Sequence, residues 1–249
     1  MANKPTVAVV GVSTMGQQVG SEFLLRGYNV IMVGRENSKD PLGAMQSYTA
    51  RRAPPVIFEQ FRFVRNINLL PPNVEVVIEA VSERLSAKLM VLSQIEEAVS
   101  ASCVIATNTS SIDPETLRII IKNKSRFIGL HFFNPTWAMR FVEVAPFYET
   151  SPQVIKQVGS LCIDLQMDYQ IVQATAGFVV NRLIAVLVKE AKLINRDHGV
   201  SEEIIDKCCK AILRCEPFAI EQLVTPELMA IMLSNLDAEK SKCEFCQLE

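Results

Sequence analysis

The sequence predicts an α/β protein in which a doubly wound, mostly parallel sheet is followed by a short all-helical C-terminal domain. Two observations lead to this fold class. Short apolar runs of strand type alternate with segments of helical periodicity as far as residue 173. Beyond residue 174 only helical periodicity continues. Such alternation is typical of parallel strands joined by crossover helices, and the helical remainder indicates a second domain.

The chain opens with a β-α-β unit. A strand over residues 6–10 precedes a glycine-containing turn, a helical pattern that includes Val19 and Phe23, and a second strand over 29–33. Residues 34–73 are predicted to be irregular, because prolines interrupt them repeatedly. The remaining predicted elements are a strand over 74–80, a helix over 84–99, a strand over 103–106, a helix starting at 113–115, strands over 126–130 and 141–144, a helix over 152–164 and a strand over 169–173.

A domain boundary is predicted near Ala174. After it, apolar residues recur at helical spacing from Val180 to Ile194. We therefore expect one domain over residues 1–173 and a helical domain over 174–249. The helical part has only about 75 residues, which is small for an independent core.

The composition argues against a nucleic-acid or membrane partner. The chain has 25 basic and 27 acidic residues, so it has no general attraction to polyanions. No apolar run reaches membrane-spanning length. The seven cysteines are an odd number, Cys103 and Cys162 fall in apolar stretches, and the N-terminus shows no signal-peptide pattern. These features predict a reduced, cytoplasmic protein.

Two further cysteines have the CxxC spacing of metal or redox sites. Cys243 and Cys246 lie in a polar tail, with no second pair and no histidine close by. We expect a solvated tail there and predict no metal site.

The turn after the first strand is Gly11-Val12-Ser13-Thr14-Met15-Gly16. In a dinucleotide-binding turn the first glycine makes the tight turn, the second lets the backbone approach the pyrophosphate, and the third permits close packing of helix and strand. Gly11 and Gly16 fill the first and third places, whereas Ser13 fills the second. The sequence thus predicts a Rossmann-type domain that binds a dinucleotide through Gly11, Ser13, Met15 and Gly16, although any tight strand-helix turn can carry two glycines.

The second predicted strand lacks the acidic residue that usually follows it in such domains. Gly34 and Arg35 stand there instead. A carboxylate would bind the free 2'-hydroxyl of NAD, whereas a small residue beside a guanidinium would accept the 2'-phosphate of NADP. A solvated surface loop explains Arg35 equally well.

The two histidines of the chain differ in their surroundings. His198 falls at a predicted helix end, where a cation complements the helix dipole. His131 ends an apolar strand, and Glu143 lies in a second apolar stretch twelve residues later. A carboxylate is costly in an apolar strand unless it is paired, and a carboxylate-oriented imidazole is a common general base. The residues alone leave a structural pair as probable as a catalytic one.

At this point the sequence resembles a known family. The run His131-Phe132-Phe133-Asn134-Pro135, followed by Met139 and Phe141-Val142-Glu143-Val144, is similar to the signature of L-3-hydroxyacyl-CoA dehydrogenases. The resemblance covers roughly residues 6–33 and 74–206. Four further blocks agree in order and spacing: Thr14-Met15-Gly16, Ile78-Glu79-Ala80-Val81-Ser82-Glu83, Asn108-Thr109-Ser110-Ser111 and Gly177-Phe178-Val179-Val180-Asn181-Arg182.

The resemblance implies a role for each of four catalytic residues. His131 would take the proton from the 3-hydroxyl group of the substrate while hydride leaves for the nicotinamide. Glu143 would orient His131 and stabilise the imidazolium. Ser110 and Asn181 would hold the hydroxyl or carbonyl oxygen.

The resemblance also implies contacts with the cofactor and with a second subunit. Glu83, Lys88 and Asn134 match positions that line the cofactor site in the family. The domain over 1–173 would bind the dinucleotide, and the domain over 174–249 would bind substrate and form a homodimer. The apolar residues expected at that dimer contact are Leu223, Val224, Leu228, Met229, Ile231, Met232 and Leu233.

The sequence departs from the family pattern in three places. Ser13 and the Gly34-Arg35 pair alter the cofactor site. The segment from Glu36 to Leu70 is shorter than the helical arm that helps the family to receive the CoA moiety. Beyond Asp206 a proline- and glycine-rich segment of the family is replaced, and the helical domain is expected to be truncated.

The function expected from these features is hydride transfer between the C3 hydroxyl of an L-3-hydroxyacyl-CoA and a nicotinamide cofactor. The cofactor is NAD by family expectation, or NADP by the Gly34-Arg35 pair, and coenzyme A is part of the substrate. Two alternatives stay open. One is an NADP-dependent dehydrogenase or reductase of a non-CoA β-hydroxy acid, and the other is a non-catalytic nucleotide-binding or structural relative.

Overall fold

The computed structural model of the protein describes residues 4–50, 52, 58–224 and 226–240. These residues form two compact units. The first unit contains the residues up to Thr109 together with Pro114–Ala174, and the second contains Ser110–Asp113 together with the residues from Thr175 onward. The predicted solvated tail with Cys243 and Cys246 lies outside the described residues.

The first unit is built on one sheet. Its described strands are β1 (Thr6–Val10), β2 (Asn29–Val33), β3 (Phe61–Val64), β4 (Val74–Glu79), β5 (Val104–Thr107), β6 (Phe127–Phe132), β7 (Phe141–Pro146) and β8 (Asp168–Ile171). Their order in the sheet is β3-β2-β1-β4-β5-β6-β7-β8. Neighbouring strands are parallel except for β6 and β7, which are antiparallel. The chain order reverses between β1 and β4, and in such sheets ligands bind at the carboxyl ends of the strands beside that point.

Helices connect most of these strands. They are α1 (Thr14–Leu25), α2 (Leu42–Thr49), α3 (Leu85–Ala98), α4 (Pro114–Arg118), α5 (Thr136–Met139) and α6 (Pro152–Asp164). Short 3-10 helices cover Phe58–Gln60, Ile67–Leu69 and Lys124–Arg126. The predicted fold class, a Rossmann-type and mostly parallel sheet followed by helices, is confirmed.

The prediction that residues 34–73 are irregular was wrong. This segment contains α2 and the edge strand β3. In β3 the side chain of Arg62 is exposed, whereas Phe61 and Phe63 are partly buried. Four residues of such alternation are too few to distinguish a short edge strand from a loop in the sequence.

The core forms because the central strands are apolar on both faces. Val7, Ala8 and Val9 of β1 are completely buried, as expected for a parallel strand that is covered on both sides. Val19 and Phe23 of α1 join the same hydrophobic cluster. This packing fixes the turn between β1 and α1, which is where the dinucleotide was predicted to bind.

The second unit contains four described helices: α7 (Val180–His198), α8 (Glu202–Leu213), α9 (Pro217–Leu223) and α10 (Pro226–Lys240). Helix α7 ends at Gly199, whose φ of 66° is in the left-handed region that glycine adopts most readily. His198 lies in the last turn of α7, as the sequence predicted. No described helix is long and apolar enough to cross a membrane.

The apolar residues assigned to a dimer contact pack largely within the second unit. Met232 forms a buried core with Ala185 of α7, and Val224, Leu228 and Leu233 pack against this core. Met229 is buried as well. Helix α7 therefore covers much of this cluster within the second unit, and its contact with a second subunit stays a prediction.

Two glycines of the first turn are required by close backbone contacts. A Cβ atom at Gly11, whose φ is 124°, would lie 2.3 Å from the carbonyl oxygen of Ala80. A Cβ atom at Gly16 would lie 2.1 Å from the carbonyl oxygen of Gly11. Both distances are far shorter than van der Waals contact, so α1 can approach β1 and β4 this closely only without side chains at these positions.

We predict that Gly16→Ala lowers the free energy of unfolding by about 2–3 kcal/mol, because the backbone must move to admit the methyl group. Gly43→Ala is the matched control, since a Cβ atom there meets no atom within 4 Å and the residue is helical. That control should be neutral or stabilising by up to about 1 kcal/mol. Urea denaturation of the three proteins measures the difference, and equal effects of the two substitutions would contradict the packing argument.

Candidate active site

A cavity of about 620 Å³ opens in the first unit, beside the carboxyl ends of β1, β2, β3 and β4. Gly11 and Ser13 line it from the first turn, and Arg35 lines it from the segment after β2. Ile67 and Met90 contribute apolar surface on another wall. The cavity thus combines a backbone turn, a cation and an apolar wall, which are the surfaces that a nucleotide requires.

The first turn of α1 is arranged to receive an anion. Ser13 is the N-cap, and its Oγ accepts a hydrogen bond from the backbone N–H of Gly16 over 3.5 Å. The Ser13 hydroxyl also donates to the carbonyl oxygen of Ala80 over 3.2 Å. No acidic residue lies in the first turn of α1, so the positive end of the helix dipole is not neutralised there.

A second arginine lines the same cavity. Arg65 directly follows β3, and its guanidinium carbon lies 4.8 Å from the centre of the Phe63 ring. Sequence reasoning missed Arg65 because it did not predict β3. The Phe61-Arg62-Phe63 alternation is consistent with a strand there, but it is too short to distinguish an edge strand from a loop.

The structure brings His131 and Glu143 together. They are directly opposite each other in the antiparallel pair of β6 and β7. His131 Nδ1 lies 2.8 Å from Glu143 Oε2, and the two residues are only 4% and 1% exposed. Burial of this pair in the sheet restricts the imidazole to an orientation set by the carboxylate. Such an arrangement suits a general base.

The loop after β6 is held by α1. Gln18 of α1 donates from Nε2 to the side-chain oxygen of Asn134 over 2.9 Å. The Gln18 side-chain oxygen accepts from the backbone N–H of Thr136, also over 2.9 Å. Asn134 itself is exposed. Gln18 therefore fixes the position of a predicted cofactor-binding residue, and no sequence pattern indicated this contact.

Glu22, further along α1, anchors the same region. It is completely buried and accepts hydrogen bonds from Tyr48 over 2.7 Å and from Thr136 over 3.2 Å, and it forms ion pairs with Arg52 and Arg140. Burial alone would raise the pKa of Glu22, but the hydrogen bonds and the two guanidinium groups outweigh it and lower the pKa below its usual value. Glu22 thus stays ionised and ties α1 to the segment that follows β6.

A buried ionic network lies at the carboxyl ends of β4 and β5. Lys88 Nζ is 2.9 Å from Glu79 Oε1 and 3.2 Å from Glu83 Oε2. Thr107 donates to Glu79 over 2.7 Å, and Thr109 donates to Glu83 over 2.6 Å. Burial acts to lower the pKa of Lys88, but the attraction of the two carboxylates outweighs it and raises the pKa. Lys88 therefore remains an ammonium ion although it is completely buried.

Ser110 and Asn181 belong to the second unit and contact each other there. The side-chain amide of Asn181 donates to the carbonyl oxygen of Ser110 over 3.0 Å. In the same segment, Asn235 of α10 donates to the carbonyl oxygen of Ser111 over 2.6 Å. Two asparagines thus hold the backbone of the serine pair within the helical unit.

The predicted cofactor residues do not all face the cavity. Its described lining includes Gly11, Ser13 and Arg35. The remaining predicted residues, which are not part of this lining, are Met15, Gly16, Glu83, Lys88 and Asn134. Gly16 permits the close approach of α1 to the first turn, and Lys88 forms an ion pair with Glu83. Among the described residues, no cluster of three or more histidine, cysteine, aspartate or glutamate side chains is arranged to hold a metal ion.

The comparison with protein families decides the membership of this chain. Residues 6–174 match the family described as the NAD-binding domain of 3-hydroxyacyl-CoA dehydrogenase. The chain belongs to this family. That match supports binding of NAD(H) in the first unit, where the glycine turn and the cavity lie.

Individual relatives agree with the family. The chain is 31% identical over 221 residues to a 3-hydroxyadipyl-CoA dehydrogenase of Escherichia coli, an alignment that covers 83% of this chain and 46% of the relative. It is 29% identical to a glyoxysomal fatty acid beta-oxidation multifunctional protein of Cucumis sativus, covering 88% of this chain and 31% of that protein. The chain therefore spans about half, or less, of the length of these relatives.

A solved structure resembles nearly the whole chain. The crystal structure of (S)-3-hydroxybutyryl-CoA dehydrogenase from Ralstonia eutropha superposes with a TM-score of 0.88 at 27% sequence identity. The match covers 96% of this chain and 88% of that one.

We predict that Lys88→Met lowers the free energy of unfolding by about 3–5 kcal/mol, because it leaves the Glu79 carboxylate buried without a counter-ion. Lys207→Met is the matched control. Lys207 forms an exposed pair with Glu203 in α8, and an exposed pair is worth little. The control should change the free energy by less than about 0.5 kcal/mol. Chemical denaturation measures both values, and a loss at Lys88 no larger than at Lys207 would refute the structural role of the network.

Proposed function

We propose that this chain is a nicotinamide-dependent 3-hydroxyacyl-CoA dehydrogenase. The observation that carries the proposal is the buried His131–Glu143 pair, with 2.8 Å between Nδ1 and Oε2, in the unit that also carries the dinucleotide turn. Oxidation of an alcohol by hydride transfer requires a base for the hydroxyl proton and a bound nucleotide, and the first unit contains both a buried carboxylate-oriented histidine and a cavity that suits a nucleotide. Relatives named for hydroxyacyl-CoA oxidation supply the substrate class.

His131 acts as the general base in this proposal. Glu143 accepts the hydrogen bond from Nδ1–H, so the neutral imidazole carries its acceptor lone pair on Nε2. Nε2 takes the proton of the 3-hydroxyl group as the C–O bond becomes a carbonyl. A bound nicotinamide would supply the acceptor for the hydride from C3. Glu143 stabilises the imidazolium that results, and in the reverse direction His131 returns the proton to the oxygen.

The first unit fits a nicotinamide dinucleotide. The close approach of Gly16 to Gly11, where a Cβ atom would lie 2.1 Å from an oxygen, brings the N-terminus of α1 against the turn. Pyrophosphate at that N-terminus would meet backbone N–H groups of the first helical turn and a favourable dipole. Ile67, Met90 and Val91 offer an apolar wall for a flat ring such as adenine. NAD is the family expectation, and Arg35 supports NADP as the alternative.

The other predicted site residues are proposed to contact the cofactor or the substrate, or to position residues that do. Glu83 and Asn134 remain candidates for contacts with the cofactor, while Lys88 positions Glu83 through their ion pair. Ser110 and Asn181 keep the role that the family resemblance gives them, which is to hold the substrate oxygen. Coenzyme A is proposed as part of the substrate on the strength of the relatives' names.

A cytoplasmic location also remains a proposal. Cys103 and Cys162 are buried free thiols, and burial raises the pKa of each to about 12. Such inert, reduced cysteines are typical of a reducing compartment. The near balance of 25 basic and 27 acidic residues supports small molecules, rather than nucleic acids or membranes, as partners.

The assembly proposed for the chain is a homodimer formed by the helical unit. Ile204, Ile212 and Leu213 of α8 are 52%, 80% and 59% exposed. Exposed apolar groups of this size on one helix support an interface.

Substitution of the proposed base tests the mechanism. His131→Gln should lower kcat for acetoacetyl-CoA reduction by about 10²- to 10⁴-fold, the usual contribution of a general acid or base, while the Kd for NADH stays within about twofold. His198→Gln is the matched control, because His198 is exposed at the end of α7. The double variant His131→Gln/Glu143→Gln should be no slower than His131→Gln, since the pair acts as a unit.

Three results would contradict this assignment. Activity of His131→Gln within a few-fold of wild type would remove His131 as the base. Reduction of free 3-oxo acids in preference to acetoacetyl-CoA would favour a non-CoA substrate. Binding of NADH without turnover of either substrate would favour a non-catalytic relative.

The dimer is tested by light scattering at about 10 µM protein, a concentration well above the Kd of a stable interface. The wild type should have twice the mass of the chain, and Ile212→Glu should shift it to the monomer by burying a charge in the interface. Ile119→Glu is the control, because Ile119 is 76% exposed in the first unit. A monomeric wild type, or equal effects of both substitutions, would refute the proposed interface.

A further inference from the structure

The cavity of the first unit is positively charged where a cofactor of the family would be expected to meet a carboxylate. Arg35 and Arg65 both line it. No aspartate or glutamate is among the described residues of its lining. An NAD site of this fold commonly uses a carboxylate at the end of β2 to bind the two ribose hydroxyls. Here that contact has no candidate in the lining.

The two arginines are neighbours because of the strand register. Val33 of β2 is paired with Val64 of β3, and the backbone N–H of Gly34 donates to the carbonyl oxygen of Val64 over 2.9 Å. Arg35 and Arg65 therefore leave adjacent parallel strands at the same edge. Neighbouring strands are only about 4.8 Å apart, so both guanidinium groups are within reach of one small dianion.

Packing also excludes an acidic side chain from the usual position. A Cβ atom at Gly34 would lie 2.8 Å from Cβ of Ser38 and 2.9 Å from the ring of Phe63. These contacts are shorter than real Cβ atoms tolerate, so Ser38 and Phe63 already fill the space. The absence of an acid at position 34 is thus built into the packing around it, because a carboxylate there would require both Ser38 and Phe63 to move.

The turn after β2 presents a hydroxyl group beside the arginines. The backbone N–H of Arg35 donates to Ser38 Oγ over 2.9 Å, and the backbone N–H of Ser38 donates to the carbonyl oxygen of Arg35 over 2.9 Å. Ser38 Oγ is fixed as an acceptor by this turn, so its own proton can be donated to a ligand in the cavity. Ser38 lines the cavity as well.

Arg65 is held by an aromatic face. Its guanidinium carbon is 4.8 Å from the centre of the Phe63 ring, a distance at which a cation and the π face attract each other. The same ring blocks a side chain at Gly34. The Phe63 ring thus occupies the space that an acidic side chain at position 34 would need, and it also contacts the guanidinium group of Arg65.

We infer that this cavity takes a dinucleotide whose adenosine ribose carries a 2'-phosphate, NADP(H), with Arg35, Arg65 and the Ser38 hydroxyl binding that phosphate. The inference rests on the proposed function, in which a nicotinamide dinucleotide binds at this edge of the sheet. A phosphate dianion between two guanidinium groups forms charge-assisted hydrogen bonds, which are the strong ones. The 2'-hydroxyl group of NAD is uncharged, so its hydrogen bonds to these guanidinium groups would be weaker.

Direct binding measurements test this inference without reliance on turnover. The Kd values of NADPH and NADH are measured by fluorescence for the wild type, Arg35→Ala, Arg65→Ala and the double variant. Wild type should bind NADPH at least as tightly as NADH. Each single variant should shift the ratio of the two Kd values toward NADH by about tenfold, the usual size of a charged hydrogen bond. Arg62→Ala is the matched control, because Arg62 is exposed on β3 and is not part of the cavity lining.

Binding of the nucleotides 2',5'-ADP and 5'-AMP provides a second measurement of the phosphate site alone. Wild type should prefer 2',5'-ADP, and Arg35→Ala and Arg65→Ala should remove that preference. Tighter binding of NADH than of NADPH by the wild type, or a ratio that Arg62→Ala changes as much as the other two variants do, would overturn the inference and leave the proposed function standing. Failure to bind either dinucleotide would overturn the proposed function itself.

Discussion

The buried carboxylate of Glu79 is the interaction on which the nucleotide edge of the sheet depends. It ends β4 and accepts hydrogen bonds from the backbone N–H of Val81, from Lys88 of α3 and from Thr107 of β5. One completely buried side chain thus joins two strands, a helix and the turn between them. Burial of an ion pair costs several kcal/mol in desolvation, so the pair is stable only because each of these partners is in place.

The turn that Glu79 fixes is also the surface against which the first glycine packs. Ala80 donates its backbone N–H to Val10 over 2.8 Å, and its carbonyl oxygen is the atom that any side chain at Gly11 would strike. Ser13 donates to the same carbonyl. The position of the helix N-terminus is therefore set by contacts on both sides of the β1–β4 boundary. A change in the Glu79 network would therefore move Ala80 and, through it, the N-terminus of α1, even though Glu79 does not contact that helix.

Much of this architecture could be predicted from the sequence, because its strands are apolar and its turns carry glycine. β1 and β2 were predicted with the bounds that the structure shows, and the His131–Glu143 pair was predicted because each residue interrupts an apolar strand. Glu79 stands in an equally apolar strand, but its partner Lys88 is hidden in an ordinary helical pattern. Arg65 was missed because β3 is a four-residue edge strand. Pairings that depend on strand order, such as β2 with β3, have no local signal in the sequence.

The strand order also separates the two cavity arginines from the His131–Glu143 pair. Arg35 and Arg65 follow β2 and β3, whereas His131 is on β6, and β1, β4 and β5 lie between β2 and β6. At about 4.8 Å per strand, β2 and β6 are roughly 19 Å apart. The two arginines are therefore too far from the imidazole to contact it directly. In the proposed function, an acid absent from the end of β2 and two cations beside that position would alter which dinucleotide binds, while the His131–Glu143 pair would keep its geometry. Cofactor choice and proton transfer would then depend on different strands of one sheet, so that a change in the first need not disturb the second.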